Sequence, residues 1–118
     1  AEKLARKLSD ANKDNAMLQN DLAWQLLTSQ AITKPNADLA DLIATRANDA
    51  AQGKDGSILD TLARAKFLKG EKAKAIELQT KAVSLSDGEM KKQLQKMLDS
   101  YKAGKLPQDD SDAQDDDP

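Results

Sequence analysis

The chain contains no cysteine and no histidine. Without cysteine there is no disulfide, no thiol nucleophile and no thiolate metal site. Without histidine, the usual proton carrier near neutral pH and the commonest metal ligand are missing too. Aromatics are scarce, with one Trp, one Tyr and one Phe in 118 residues, so a core must be filled by Leu, Ile and many Ala. No apolar run approaches the ~20 residues a helix needs to span a bilayer. The chain begins at Ala1 with neither Met nor a signal-like segment, the pattern expected of a processed or excised piece.

What is present is alanine together with long charged side chains, 32% of residues being charged. These residues lose little conformational freedom in a helix, so the composition is that of a helical protein. The formal charge of −2 conceals an asymmetry, because the last eleven residues, Gln108 to Pro118, hold six Asp and no base. Without them the 20 acids fall to 14 against 18 bases, a net of +4. A mildly basic body therefore carries an acidic tail.

One motif occurs twice. Leu39-Ala40-Asp41-Leu42-Ile43-Ala44-Thr45-Arg46-Ala47 is answered by Lys74-Ala75-Ile76-Glu77-Leu78-Gln79-Thr80-Lys81-Ala82; each copy has two alanines seven apart, and the copies are offset by 35 residues. Before each lies an apolar segment, Leu22-Ala23-Trp24-Gln25-Leu26-Leu27 and Leu62-Ala63-Arg64-Ala65-Lys66-Phe67. A period of this length with small residues at fixed helical positions predicts stacked helical hairpins, one per repeat.

The helices follow from periodicity and punctuation. Leu4, Leu8 and Ala11 place an apolar stripe on a first helix from Glu2 to about Ala11, interrupted by Ser9 and Asp10. A second runs from about Asn15 to Gln30, and its Met17, Leu18, Leu22, Trp24, Leu26 and Leu27 cover more than one face. Lys34-Pro35-Asn36 breaks it. Asp38 is the expected N-cap of a third helix ending near Ala51, and Gly53-Lys54-Asp55-Gly56 the expected turn. Ser57 is the expected cap of a fourth helix that stops at Gly70. A fifth spans Lys72 to about Leu85, turning Ala75, Ile76, Leu78, Ala82, Val83 and Leu85 inward. A sixth, about Glu89 to Lys102, has Met90, Leu94, Met97, Leu98 and Tyr101 on one stripe and lysines elsewhere, as a terminal capping helix requires. The fold class is all-α, with an N-terminal helix and linker over 1–14, a helical domain over 15–106 and a disordered acidic tail over 107–118.

These residues resemble tetratricopeptide repeats (TPR). In the second repeat Leu59 takes the bulky position, Leu62-Ala63 the Leu-small pair, Gly70 the turn, and Ala75 and Ala82 the alanine pair. Lys66 stands where an aromatic is usual, with Phe67 one step on, and Asp87 replaces the closing proline. The first repeat matches at Leu22-Ala23, Ala40 and Ala47, with about five extra residues in its turn. Over roughly Asn15 to Leu106 the chain is also similar to helical modules that follow a thioredoxin-like domain in some bacterial exported proteins. It shares runs similar to Asn20–Thr28 and Ile58–Ala65. No Cys-x-x-Cys and no part of a thioredoxin domain is present.

The resemblance implies a stack of two antiparallel hairpins whose first helices line a concave groove for a peptide or protein segment. Carrying its groove positions over points to Asn20, Trp24 and Leu27, with Met17, in the first repeat and to Asp60, Arg64 and Phe67 in the second. Trp and Arg dominate binding hot spots, but the only Trp of an aromatic-poor chain is more often a core residue than a ligand contact. Arg64 can also simply pair with Asp60 one turn earlier. Arg64 and Asn20 are too few for a carboxylate clamp. The lysines Lys66, Lys69, Lys72 and Lys74 are scattered by helical spacing, which argues for a solvated surface rather than a nucleic-acid interface. No nucleophile–base pair, phosphate-cradling loop or metal-ligand spacing appears. The expectation is a non-enzymatic interaction module without a cofactor, not inserted in a membrane, and exported if the thioredoxin-module resemblance holds. The alternative is a structural module that packs on a parent protein or self-associates, since two hairpins are fewer than the three repeats usually needed for stability.

Overall fold

The computed structural model describes residues 2–28 and 36–105. Among them six α-helices occur and no strand: α1 (Glu2–Ala11), α2 (Ala16–Thr28), α3 (Ala37–Ala50), α4 (Gly56–Leu68), α5 (Lys72–Ser84) and α6 (Gly88–Lys102). The expected end of the second helix at Ser29-Gln30, the Lys34-Pro35 break and the acidic tail lie outside the described residues. α2 with α3 and α4 with α5 are the two most closely packed pairs. α3 joins the first pair to α4, α6 packs on α5, α2 also reaches α4, and α1 rests on α2 and α3.

Alanine sets this packing. Ala40 and Ala47 on α3, and Ala75 and Ala82 on α5, are fully buried, as are Ala23 and Ala63 on the preceding helices. Helix separation depends on the side chains at the contact, and methyl groups let these axes approach closely. Leu26, Leu39, Ile43 and Leu62 fill the space around the first seam, and Leu59, Val83, Leu94 and Leu98 around the second. One contact is tighter than alanine allows. A Cβ at Gly56 would stand 2.6 Å from Ser86 Oγ and 3.2 Å from the Ala82 carbonyl oxygen, so the start of α4 meets the end of α5 where only hydrogen fits. Gly70, at φ 88°, ends α4 as expected and lets the Glu71 N–H return to the Lys66 carbonyl at 2.9 Å.

Both expected caps shift upstream. Asn36, not Asp38, caps α3, accepting from the Leu39 N–H at 3.0 Å. Asp55, not Ser57, caps α4, accepting from the Ser57 and Ile58 N–H groups at 2.9 and 3.3 Å. Each helix is thereby extended by residues that periodicity counted as turn, so that Gly56 opens α4 and the left-handed turn falls on Gln52 and Gly53. Leu85 and Met90, expected inward, are exposed: Leu85 falls just past the end of α5 at Ser84, and Met90 stands in the first turn of α6.

The largest departure is α1. Its apolar stripe does not face the core: Leu4 is 60% exposed and Leu8 38%, while Ala5 and Ser9 are buried. Polar bonds dock it instead. Fully buried Gln19 on α2 donates through Nε2 to the Ser9 carbonyl at 2.9 Å and accepts from the Ser9 hydroxyl. From α3, Arg46 donates to Ser9 Oγ at 2.8 Å and to Asp10 Oδ1 at 2.7 Å. That hydrogen bond, with the Arg46 charge behind it, holds the Asp10 carboxyl below its usual range. Ser9 and Asp10, which break the apolar pattern, form the docking face.

A candidate binding groove between α2 and α4

Four contacts between helices bring the site together. Trp24 projects from α2 and Arg64 from α4, and the guanidinium carbon lies 5.2 Å from the Trp24 ring centroid, a cation–π distance. One turn before Arg64, Asp60 accepts from Gln79 Nε2 of α5 at 3.0 Å. The same Nε2 donates to the Leu94 carbonyl of α6 at 3.1 Å, so one amide ties three helices. One turn after Ala63, Phe67 stacks on Tyr101 of α6 with centroids 4.7 Å apart and planes tilted 30°.

The electrostatics of this cluster are those of a desolvated polar seam. Burial disfavours the Asp60 carboxylate and pushes its pKa up, against the Gln79 hydrogen bond and the nearby Arg64 charge, which favour ionisation. The fully buried Tyr101 phenol is likewise pushed up, first by burial and then by the Asp60 charge. Tyr101 Oη, Gln79 Oε1 and Asn20 Oδ1 are buried and have no hydrogen-bond partner among the described residues. Such atoms in folded proteins are normally satisfied by water or by a ligand.

The six predicted residues fall into two groups. Asn20, Trp24, Asp60 and Phe67 are half-buried, each with some surface left. Leu27, 5% exposed, belongs to the main core with Ala23 and Leu26, and Arg64, 6% exposed, lies against the Trp24 ring. Met17, on the same helix as Asn20 and Trp24, is 75% exposed. Periodicity missed Gln79 and Tyr101 as polar members of the cluster. Gln79 did leave a signal: it sits four residues after Ala75 and three before Ala82, on the alanine seam, where the first repeat has Ala44.

The basic residues split differently. Asp41, buried on α3, accepts from Lys66 Nζ at 2.9 Å and Lys69 Nζ at 2.7 Å. Burial alone would raise its pKa, but the two lysines outweigh burial and hold it below the usual carboxylate range. Lys69 also lies 3.5 Å from Glu71. Lys72 points elsewhere, its ammonium 3.8 Å from where a Cβ would stand on Gly104, just past α6. A shallow depression of about 440 Å³ lined by Glu2, Lys3, Arg6, Asn36, Asp38, Leu39 and Leu42 shares no residue with the Trp24 cluster. Among the described residues no group of His, Cys, Asp and Glu is arranged to hold a metal, and no helix is long and apolar enough to cross a membrane.

Comparison of the chain with models of protein families, with curated proteins and with solved structures finds no significant match.

Proposed function

We propose that this chain is a non-enzymatic, TPR-like protein-interaction module that takes a peptide or protein segment along the α2–α4 face. The reading joins the repeated alanine pattern to one observation, the Trp24–Arg64 pair bridging the first helices of the two pairs. Trp24, Asn20, Asp60 and Phe67 are the contact residues, with Met17 at the rim; Arg64 holds the Trp24 ring from beneath, and Leu27 supports the helix from the core. The resemblance to modules that follow thioredoxin-like domains further suggests an accessory domain of a larger, exported protein. Trp24 is the only tryptophan, so its fluorescence reports on its own site. A peptide-library screen read by Trp24 emission should yield segments whose affinity, measured by a label on the peptide, falls at least about tenfold in Trp24→Ala, as hot-spot truncation does. Binders whose affinity ignores Trp24→Ala, in a variant that melts as a folded protein, would remove the groove.

A second reading, a structural module that packs on its parent or on another copy, is favoured by the exposed Leu4 and Leu8 of α1. A mass that rises with concentration and returns to monomer in Leu4→Glu would support it.

A further inference from the structure

Two Asp-Gly pairs open helices of this domain and stand in opposite states, Asp55-Gly56 at α4 and Asp87-Gly88 at α6. An aspartate followed by glycine is the pair most open to cyclisation on itself. Glycine has no side chain to shield its amide nitrogen from the preceding carboxyl carbon, and it leaves the joining peptide free to turn. At the first pair the fold removes that freedom. Asp55 Oδ1 is held by the Ser57 and Ile58 N–H groups at 2.9 and 3.3 Å. Gly56 is packed against the end of α5, where a Cβ would stand 2.6 Å from Ser86 Oγ and 3.2 Å from the Ala82 carbonyl oxygen. Its peptide cannot turn unless α5 moves.

The second pair has neither restraint. Asp87 holds the same N-cap position on α6, yet its side chain makes no cap hydrogen bond and the residue is exposed. Its backbone is extended, at φ −143° and ψ 175°. Nothing lies within 4 Å of where a Cβ would stand on Gly88. As the first residue of α6, Gly88 has an N–H with no acceptor inside the helix. The joint is tied by the Lys91 N–H, which donates to the Asp87 main-chain carbonyl at 3.2 Å. An uncapped, exposed carboxyl thus adjoins an amide nitrogen in open space.

We propose that Asp87-Gly88 is a site of spontaneous isoaspartate formation in the folded chain and that Asp55-Gly56 is not. The Gly88 amide nitrogen attacks Cγ of the protonated Asp87 carboxyl group. A C–N bond forms, the C–OH bond breaks, and the hydroxyl leaves with the amide proton as water, giving a cyclic succinimide. Water then adds back. Opening at the side-chain carbonyl restores aspartate, and opening at the main-chain carbonyl leaves Gly88 joined through the side chain, which is isoaspartate. No atom is gained or lost overall and nothing is oxidised. The chain through residue 87 becomes one carbon longer, and the acceptor of the Lys91 N–H moves off the main chain as a free carboxylate. The consequence is a loosened first turn of α6, the helix that buries Leu94, Leu98 and Tyr101. The site uses neither Trp24 nor Arg64 and stands independently of the groove reading.

The test ages the full chain below its melting temperature, folded in buffer and unfolded in urea, and samples both over time. Each sample is digested, and isoaspartate is located by mass spectrometry with electron-transfer fragmentation, which tells it from aspartate. In the folded chain isoaspartate should accumulate at position 87 and stay absent at 55. In urea both positions should form it, because the cap bonds and the packing of Gly56 are gone. The aged folded fraction should also show faster amide exchange at Lys91 and its neighbours in the first turn of α6, with α4 unchanged. Accumulation at 55 as fast as at 87 in the folded chain would overturn the proposal. So would a folded chain in which neither position changes while both do in urea. Full exchange protection at Lys91 in the isomerised fraction would overturn the loosening of α6.

Discussion

The two terminal helices carry the same pattern and meet opposite fates. α1 has Leu4, Leu8 and Ala11 at i, i+4 and i+7, and α6 has Leu94, Leu98 and Tyr101 at the same spacing. On α6 the stripe is buried against Leu59, Val83, Ala63 and Ala75, with Tyr101 stacked on Phe67. On α1 it is exposed, and the helix is held by Ser9 and Asp10. Both helices are also pinned by a fully buried glutamine, Gln19 bonding to Ser9 and Gln79 to the Leu94 carbonyl. The polar pin is common to both ends, and the apolar seam is found at one. An amphipathic stripe states that a helix has a face to bury, but the neighbouring helices decide whether a surface of matching shape is there to receive it.

Truncating the stripes should expose this difference most strongly. Leu98→Ala should cost about 2–5 kcal/mol, the range for a buried leucine that leaves a cavity. Leu4→Ala should stay within about 0.5 kcal/mol, as exposed substitutions do. Equal costs in denaturant melts would show that the α1 stripe is covered in solution. Removing the pin from α1 should have a smaller and local effect. Gln19→Ala leaves the buried Ser9 hydroxyl without its acceptor and removes the bonds to the Ser9 and Asn12 carbonyls, and should cost about 1–3 kcal/mol. Because polar bonds carry so much of the α1 docking, its amides should lose hydrogen-exchange protection while those of α4 and α5 keep theirs. Loss of protection throughout would mean that α1 is integral to the core.

The smallest effect concerns pH at the α6 pin. The Asp60 pKa is raised in the folded state, so its contribution is fully present below the unfolded value near 3.8 and is lost as pH rises through the folded value. Asp60→Asn keeps an oxygen for Gln79 and removes that charge. The melting temperature of Asp60→Asn should therefore gain on the natural chain as pH climbs from about 3.8, the unfolded value, toward neutrality. Asp41 works in the opposite sense. Its lowered pKa gives stability that is present above 3.8 and disappears as pH falls through the folded value. The comparison must accordingly be made between the two chains at each pH. A flat difference would show that Asp60 ionises freely.

Several features of the fold were legible because they depend on local chemistry. The six helices, the Gly70 stop and the burial of both alanine pairs follow from periodicity and from the few residues that tolerate a turn. Both caps were displaced by two residues because Asn36, Asp38, Asp55 and Ser57 are all competent caps, and the chain continuing each helix chooses among them. In the candidate groove, the spacing of Trp24 and Arg64 was legible but their mutual contact was not, nor was the burial of Leu27, since a helical face is assigned only once its neighbours are known. The polar residues were least legible. Gln19, Gln79 and Ser9 look like surface in any hydropathy pattern, yet all are fully buried.

Amino-acid order alone determined an all-helical chain, its seams of alanine and the charge opposition between body and tail, because backbone propensity, side-chain volume and formal charge belong to each residue wherever it sits. Tertiary structure decided which stripe is covered, which caps are used and which polar atoms share a bond. Those depend on distances between residues far apart in sequence, such as the 5.2 Å from Arg64 to Trp24 and the 2.8 Å from Arg46 to Ser9, which exist only once the helices have packed.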